Sequence, residues 1–163
     1  MRNKAGNNHK PFIIVAEDDQ TISRLIRYNL EKLGAQVAEA QTGLDCIRLL
    51  SQTKADLLLL DVGLPDFSGW GILSLLRLTD SMSKVPVMIV SVNAPSSGLI
   101  ERFGPDDYIQ KPFDMRDLIS RVSKLVSSRG VSTARKMLPV SGWYQSWEKG
   151  QRLNKIFNTE GER

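Results

Sequence analysis

Five short apolar runs, each followed by a polar loop or a stretch with helical spacing, constrain this chain more than any other feature. "FIIVA" (12–16), "AQVAEA" (35–40), "DLLLLD" (56–61), "VPVMIV" (85–90) and "DYIQ" (107–110) read as strands. Among them stands "TISRLIRYNLEKLG" (21–34), with Ile22, Leu25, Ile26, Leu30 and Leu33 at helical spacing. "GLDCIRLLSQ" (43–52), "GWGILSLLRLTD" (69–80) and "DMRDLISRVSKLVSS" (114–128) also read as helices, the last with Leu118, Ile119, Val122, Leu125 and Val126 on one face. Strands alternating with helices form a parallel sheet, because each crossover is right-handed and buries one helix face. The expected class is therefore α/β. One crossover is expected to be short. In "NAPSSGLIERFG" (93–104), Pro95, Ser96, Ser97 and Gly98 leave room for about two turns, from Ser97 to Phe103.

At 163 residues the chain fits one domain and an appendage. Its longest apolar runs fall far short of the roughly 20 residues of a membrane span. The opening "MRNKAGNNHKP" lacks an apolar core, so no signal peptide is expected. A single cysteine, Cys46, suits a reducing cytoplasm and is expected in the core beside Ile47 and Leu50. His9 stands alone in a polar stretch and receives no role. The net charge of +4 resides after residue 126, where seven Lys/Arg face three Asp/Glu. The expected organisation is a disordered tail over 1–11, a domain over 12–128, a linker over 129–142 and a basic extension over 143–163. In that extension Trp143, Trp147, Leu153 and Phe157 would share a helical face.

In an open parallel sheet, ligands bind beyond the carboxyl ends of the strands. Glu17, Asp18 and Asp19 leave the first strand, Asp61 ends the third, Ser91 follows the fourth, and Lys111 follows the fifth. If strands one and three are neighbours, their carboxylates meet and repel. A hard divalent cation such as Mg²⁺ relieves that repulsion through oxygen ligands. A carboxylate nucleophile, a metal, a hydroxyl and an ammonium suit phosphoryl transfer, which needs positioning and neutralised charge. Taken singly, each of these residues is more often a solvated cap. Their joint occurrence at four strand ends argues for a site.

The same segments carry a family resemblance. "IIVAEDDQ", "LLLLDVGLPDFSG" and "DDYIQKPFD" resemble the acidic turn, phosphoacceptor segment and lysine segment of a response-regulator receiver domain, from about Phe12 to Ser128. That resemblance implies a flavodoxin-like, doubly wound sheet in the order 2-1-3-4-5. It implies Asp61 as the aspartate phosphorylated by a sensor histidine kinase or phosphotransfer protein. Glu17 and Asp18 match the acidic pair that binds Mg²⁺ with Asp61, and the Gly63 carbonyl matches a further ligand. Ser91 matches the switch hydroxyl, Tyr108 the switch aromatic and Lys111 the phosphate-pairing lysine, with a candidate cis bond to Pro112.

The chain also departs from the family pattern. Val92 stands where Ala or Gly is usual, and its stiff branched side chain is expected to crowd the phosphate's approach. Asn93 and Gly63 occupy rate-tuning positions. Asp117 and Arg121 match a dimer interface of OmpR/PhoB-type regulators whose partners lie on the shortened helix. A haloacid-dehalogenase-type phosphatase needs a second acid at position 63, and glycine there argues against an independent hydrolase. The 37 residues from 127 to 163 are too few for a winged-helix DNA-binding domain, so the expected output is a protein–protein contact. A docking module that no longer cycles remains the alternative, as does a basic tail touching nucleic acid.

Overall fold

The computed structural model describes residues 9–128. The linker and the extension with Trp143 and Trp147 lie outside them. Five strands, β1 (Phe12–Ala16), β2 (Gln36–Ala40), β3 (Leu57–Asp61), β4 (Val87–Ser91) and β5 (Asp107–Gln110), form one parallel sheet in the order β2-β1-β3-β4-β5. Five helices separate and follow them: α1 (Gln20–Lys32), α2 (Gly43–Gln52), α3 (Gly69–Leu78), α4 (Ser97–Phe103) and α5 (Met115–Ser127). The expected order is the observed one.

Burial follows the two-residue period of the strands. Ile14, Ala16, Leu58, Leu60, Val87 and Ile89 pack on one face with Cys46 and Leu50 of α2 and Trp70, Leu73 and Leu76 of α3. Ile13, Val15, Leu57, Leu59, Met88, Val90 and Ile109 pack on the other with Ile26 and Leu30 of α1 and Leu118 and Val122 of α5. All five residues of β3 are buried, so its leucine run serves both faces. Cys46 lies in the first core, where burial pushes its thiol up to about 12. Among the described residues, no helix is long and apolar enough to cross a membrane.

Two strand starts differ from expectation for physical reasons. The fourth strand begins at Val87, because Pro86 has no N–H for the ladder and only its carbonyl pairs, accepting from Leu58 at 2.9 Å. The third begins at Leu57; at Asp56 the backbone N–H still donates to the Phe12 carbonyl at 2.7 Å, but it is the buried Asp56 carboxylate that accepts from Phe12 N–H, also at 2.7 Å. The same Oδ2 lies 3.1 Å from His9 Nε2. A buried carboxylate needs such partners. The fourth helix is the seven-residue piece expected, with no buried residue, and closes on Gly104 at φ 61°.

The loop after β3 fastens this half of the domain. Asp66 accepts from the backbone N–H groups of Gly43 at 2.6 Å and Leu44 at 2.9 Å, so it caps the start of α2 from a distant loop. Partial burial opposes ionisation of Asp66, but those two bonds and another from Phe67 outweigh it and hold the carboxyl below its ordinary value. Three residues on, a Cβ on Gly69 would stand 2.4 Å from the Asp61 carbonyl oxygen and 2.8 Å from Val62 Cα. Only glycine lets α3 begin against the end of β3.

Two stability predictions follow from this loop. Asp66→Ala should cost about 0.5–2 kcal/mol in urea unfolding at pH 7. Because the folded pKa is depressed, that stabilisation is present above the unfolded value near 3.9 and is lost as pH falls through the folded value. The difference from the parent should therefore shrink toward pH 3. Gly69→Ala should cost more, at least the roughly 1–3 kcal/mol of an overpacked site, since the clash is with backbone, and its urea midpoint measures this.

Candidate phosphoryl-transfer site

With every strand parallel, the carboxyl ends of β1, β3, β4 and β5 open on one edge of the sheet. Ala16 pairs with Leu60, so the next residues, Glu17 and Asp61, leave neighbouring strands side by side. Glu17 is 2% exposed and Asp61 7%, whereas Asp18 lies in solvent. One carboxylate oxygen from each of these three acids lies within 4.8 Å of the other two. Asp19, next in the chain, turns away to cap α1, accepting from Thr21 and Ile22 N–H.

Lys111 reaches this cluster from the end of β5, held by a bond from its N–H to the Ser91 carbonyl at 2.7 Å and followed by a cis peptide bond to Pro112. Its Nζ donates to Asp61 Oδ2 at 2.9 Å and lies 2.6 Å from Glu17 Oε2. The second contact is an ion pair without hydrogen-bond alignment, and Glu17 Oε2 has no hydrogen-bond donor among the described residues. The other Asp61 oxygen accepts from Gly63 N–H at 2.8 Å, so both carboxylate oxygens are fixed.

Charge explains the titration of the pair. Burial raises the Glu17 carboxyl above its ordinary value, and the Asp61 charge adds to this, while Lys111 and the Asp19 N–H oppose without cancelling it. Burial also disfavours the Lys111 ammonium, but Glu17 and Asp61 outweigh that and hold its pKa above the ordinary value. One ammonium against three carboxylates leaves an excess of negative charge on hard oxygen donors. That donor set fits Mg²⁺. The chemistry open to it is attack by a carboxylate on an anionic phosphoryl group.

Ser91 stands at the end of β4, half-buried, with Oγ accepting from Asn93 N–H at 3.2 Å. Val92 is 66% exposed and Tyr108 39%. Val92 therefore does not fill the site, and crowding by it would act on an incoming phosphodonor. Asp117 and Arg121 lie apart from the cluster on α5. Arg121 is engaged within the chain, from Nε to Asp117 at 3.0 Å and from Nη1 to Asp107 at 2.9 Å, and these carboxylates raise its pKa. The reading of the sequence missed Asp66 and Gly69. An acid and a glycine within the loop that follows Asp61 look like ordinary loop residues until the chain closes around them.

Comparison with known proteins agrees with this geometry. The family model for the response regulator receiver domain matches residues 13–123. The DNA-binding dual master transcriptional regulator RpaA of Synechocystis is 34% identical over 118 residues, covering 71% of this chain and 49% of RpaA. The transcriptional regulatory protein KdpE of Mycobacterium tuberculosis is 35% identical over 131 residues, covering 79% of this chain and 56% of KdpE. The chain thus spans about half the length of the curated relatives it matches. The structure of the Francisella response regulator 1452 receiver domain aligns with a TM-score of 0.67 at 31% identity, covering 72% of this chain and 98% of that one. The sheet order, the acids gathered at its carboxyl edge and the family match agree, and the chain belongs to the response regulator receiver domain family of two-component systems.

Proposed function

We propose that Asp61 is the phosphoacceptor of this receiver, and that its phosphorylation switches a protein–protein contact. The observation that supports this most strongly is the Lys111–Asp61 bond of 2.9 Å inside a cluster of three carboxylates. Receiver domains are signalling modules phosphorylated by histidine kinases rather than enzymes acting on outside substrates. The donor in this reading is the phosphohistidine of a sensor kinase or phosphotransfer protein. An Asp61 oxygen attacks phosphorus, the phosphorus–nitrogen bond breaks, and the imidazole nitrogen leaves and takes a proton from solvent. Glu17, Asp18, Asp61 and the Gly63 carbonyl would hold Mg²⁺, which when bound would neutralise the phosphoryl charge. Gly63 N–H and Lys111 fix the plane of the nucleophile, and Lys111 pairs with the anionic product.

Ser91 and Tyr108 carry the response in this reading. The hydroxyl leaves Asn93 N–H for a phosphoryl oxygen, and the partly exposed Tyr108 ring follows the space it vacates. Asn93 and Gly63 tune how fast water removes the phosphoryl group. The downstream partner is read as a protein.

Incubation of the full chain with Mg²⁺ and acetyl phosphate should add one phosphoryl group, seen by intact-protein mass spectrometry. Asp61→Asn should show none. Asp18→Asn should weaken Mg²⁺ dependence by at least the about 10–100-fold that follows disturbance of a metal's outer shell. An adduct persisting in Asp61→Asn would sink the assignment.

Val92→Ala removes a side chain that must leave its rotamer to admit a donor, a cost of about 0.5–1.5 kcal/mol. Formation and loss of the adduct should therefore both accelerate, by about 2–12-fold, in a quench-flow time course. Unchanged rates would show that Val92 does not obstruct the path.

A further inference from the structure

We propose that Gln110 is a positioning residue that latches the β4–α4 loop in the unphosphorylated conformation and so sets how readily the receiver switches. Gln110 is the last residue of β5 and pairs with Ser91 across the edge of the sheet. Its side-chain Nε2 donates to the Val92 carbonyl at 2.9 Å, while the next backbone N–H, that of Lys111, donates to the Ser91 carbonyl at 2.7 Å. The successive carbonyls of Ser91, ending β4, and Val92, opening the loop, are thus held by Lys111 and Gln110 at the end of β5. In this arrangement the Ser91 hydroxyl is occupied by Asn93 N–H, and no hydrogen bond joins it to Asp61 or Lys111 among the described residues.

Little else holds the loop. Val92, Asn93 and Ala94 are all exposed, and α4 behind them has no buried residue. Among the described residues, the Gln110 amide and the Ser91 hydroxyl are the side chains from other elements bonded to the backbone between Val92 and Ser96, and of the two only Gln110 comes from outside β4. For Ser91 Oγ to reach a phosphoryl group on Asp61, the segment 91–93 must move toward β3, which carries the Val92 carbonyl away from β5. The latch bond exists in one conformer and is lost in the other, so it biases the equilibrium by its own net strength. When the switched conformer is the minor one, removing the bond raises its population, and any rate or affinity that depends on it, by the same factor.

This inference rests on the phosphoacceptor reading, and the test separates the two. Gln110→Met keeps the length of the side chain and removes the donor. In the full chain with Mg²⁺ and acetyl phosphate, adduct formation at Asp61 should rise by about 2–12-fold, the range one neutral hydrogen bond supplies. Without any phosphodonor, the backbone amide signals of Val92 and Asn93 should move toward the positions they take in the parent protein with beryllofluoride. The urea midpoint should fall only by what one such bond supplies, whereas a purely structural role would lower that midpoint and leave both the amide positions and the rate of adduct formation unchanged. If Asp61 is phosphorylated in both proteins at equal rates and the amides do not move, the latch is overturned and the phosphoacceptor stands. If the parent takes up no phosphoryl group at Asp61, the phosphoacceptor reading fails and the latch's part in switching fails with it.

Discussion

Everything at the functional edge depends on one electrostatic constraint: Asp61 and Glu17 are buried acids, and among the described residues Lys111 alone offers them a countercharge. Burying an unpaired carboxylate costs several kcal/mol. The lysine therefore does more than sit in a site, because it ties the end of β5 to the ends of β1 and β3 across the sheet. Its pairing is incomplete by charge, with three acids against one ammonium. An anionic pocket of oxygen donors, half-closed by a lysine, is suited to a cation and a phosphoryl group arriving together.

The geometry that keeps Asp61 in place comes from the loop that follows it. Gly63 N–H holds one carboxylate oxygen, and Gly69 lets α3 approach the Asp61 backbone more closely than any side chain would permit. Asp66 reaches sideways to the first N–H groups of α2. A single 13-residue stretch thus supplies a buried strand, the carboxylate proposed as the nucleophile, and the contacts that start two helices. Changes in this loop are felt in both the site and the packing of α2 and α3.

The α4 side is built differently. Its far end is well anchored: Arg77 donates to the carbonyls of Val85 and Gly104 and pairs with Asp106 at 3.0 Å, and the Phe103 and Trp70 rings lie 5.6 Å apart. Its near end, after Ser91, is exposed and held by few bonds. A segment fixed at one end and weakly tied at the other is the part of the domain where a small local energy can select between two conformations. It adjoins the Ser91 hydroxyl.

The five strands, the helices between them and the shortness of α4 were legible in the sequence, since apolar period and the placement of Pro and Gly are local signals. The residues of the acidic cluster were legible as well, because parallel topology sends every strand end to the same edge. What the sequence did not show were pairings between residues distant in the chain. His9 with Asp56, Asp66 with the start of α2, Arg77 with Asp106, and Gln110 with the Val92 carbonyl each join positions at least 18 apart in number. None has a spacing that marks it. Such bonds form only once the sheet has fixed its order and register, because hydrogen bonding is set by distance and direction in space. The sequence by itself determined which elements form and which charges gather at their ends; the tertiary structure decided which of those groups touch.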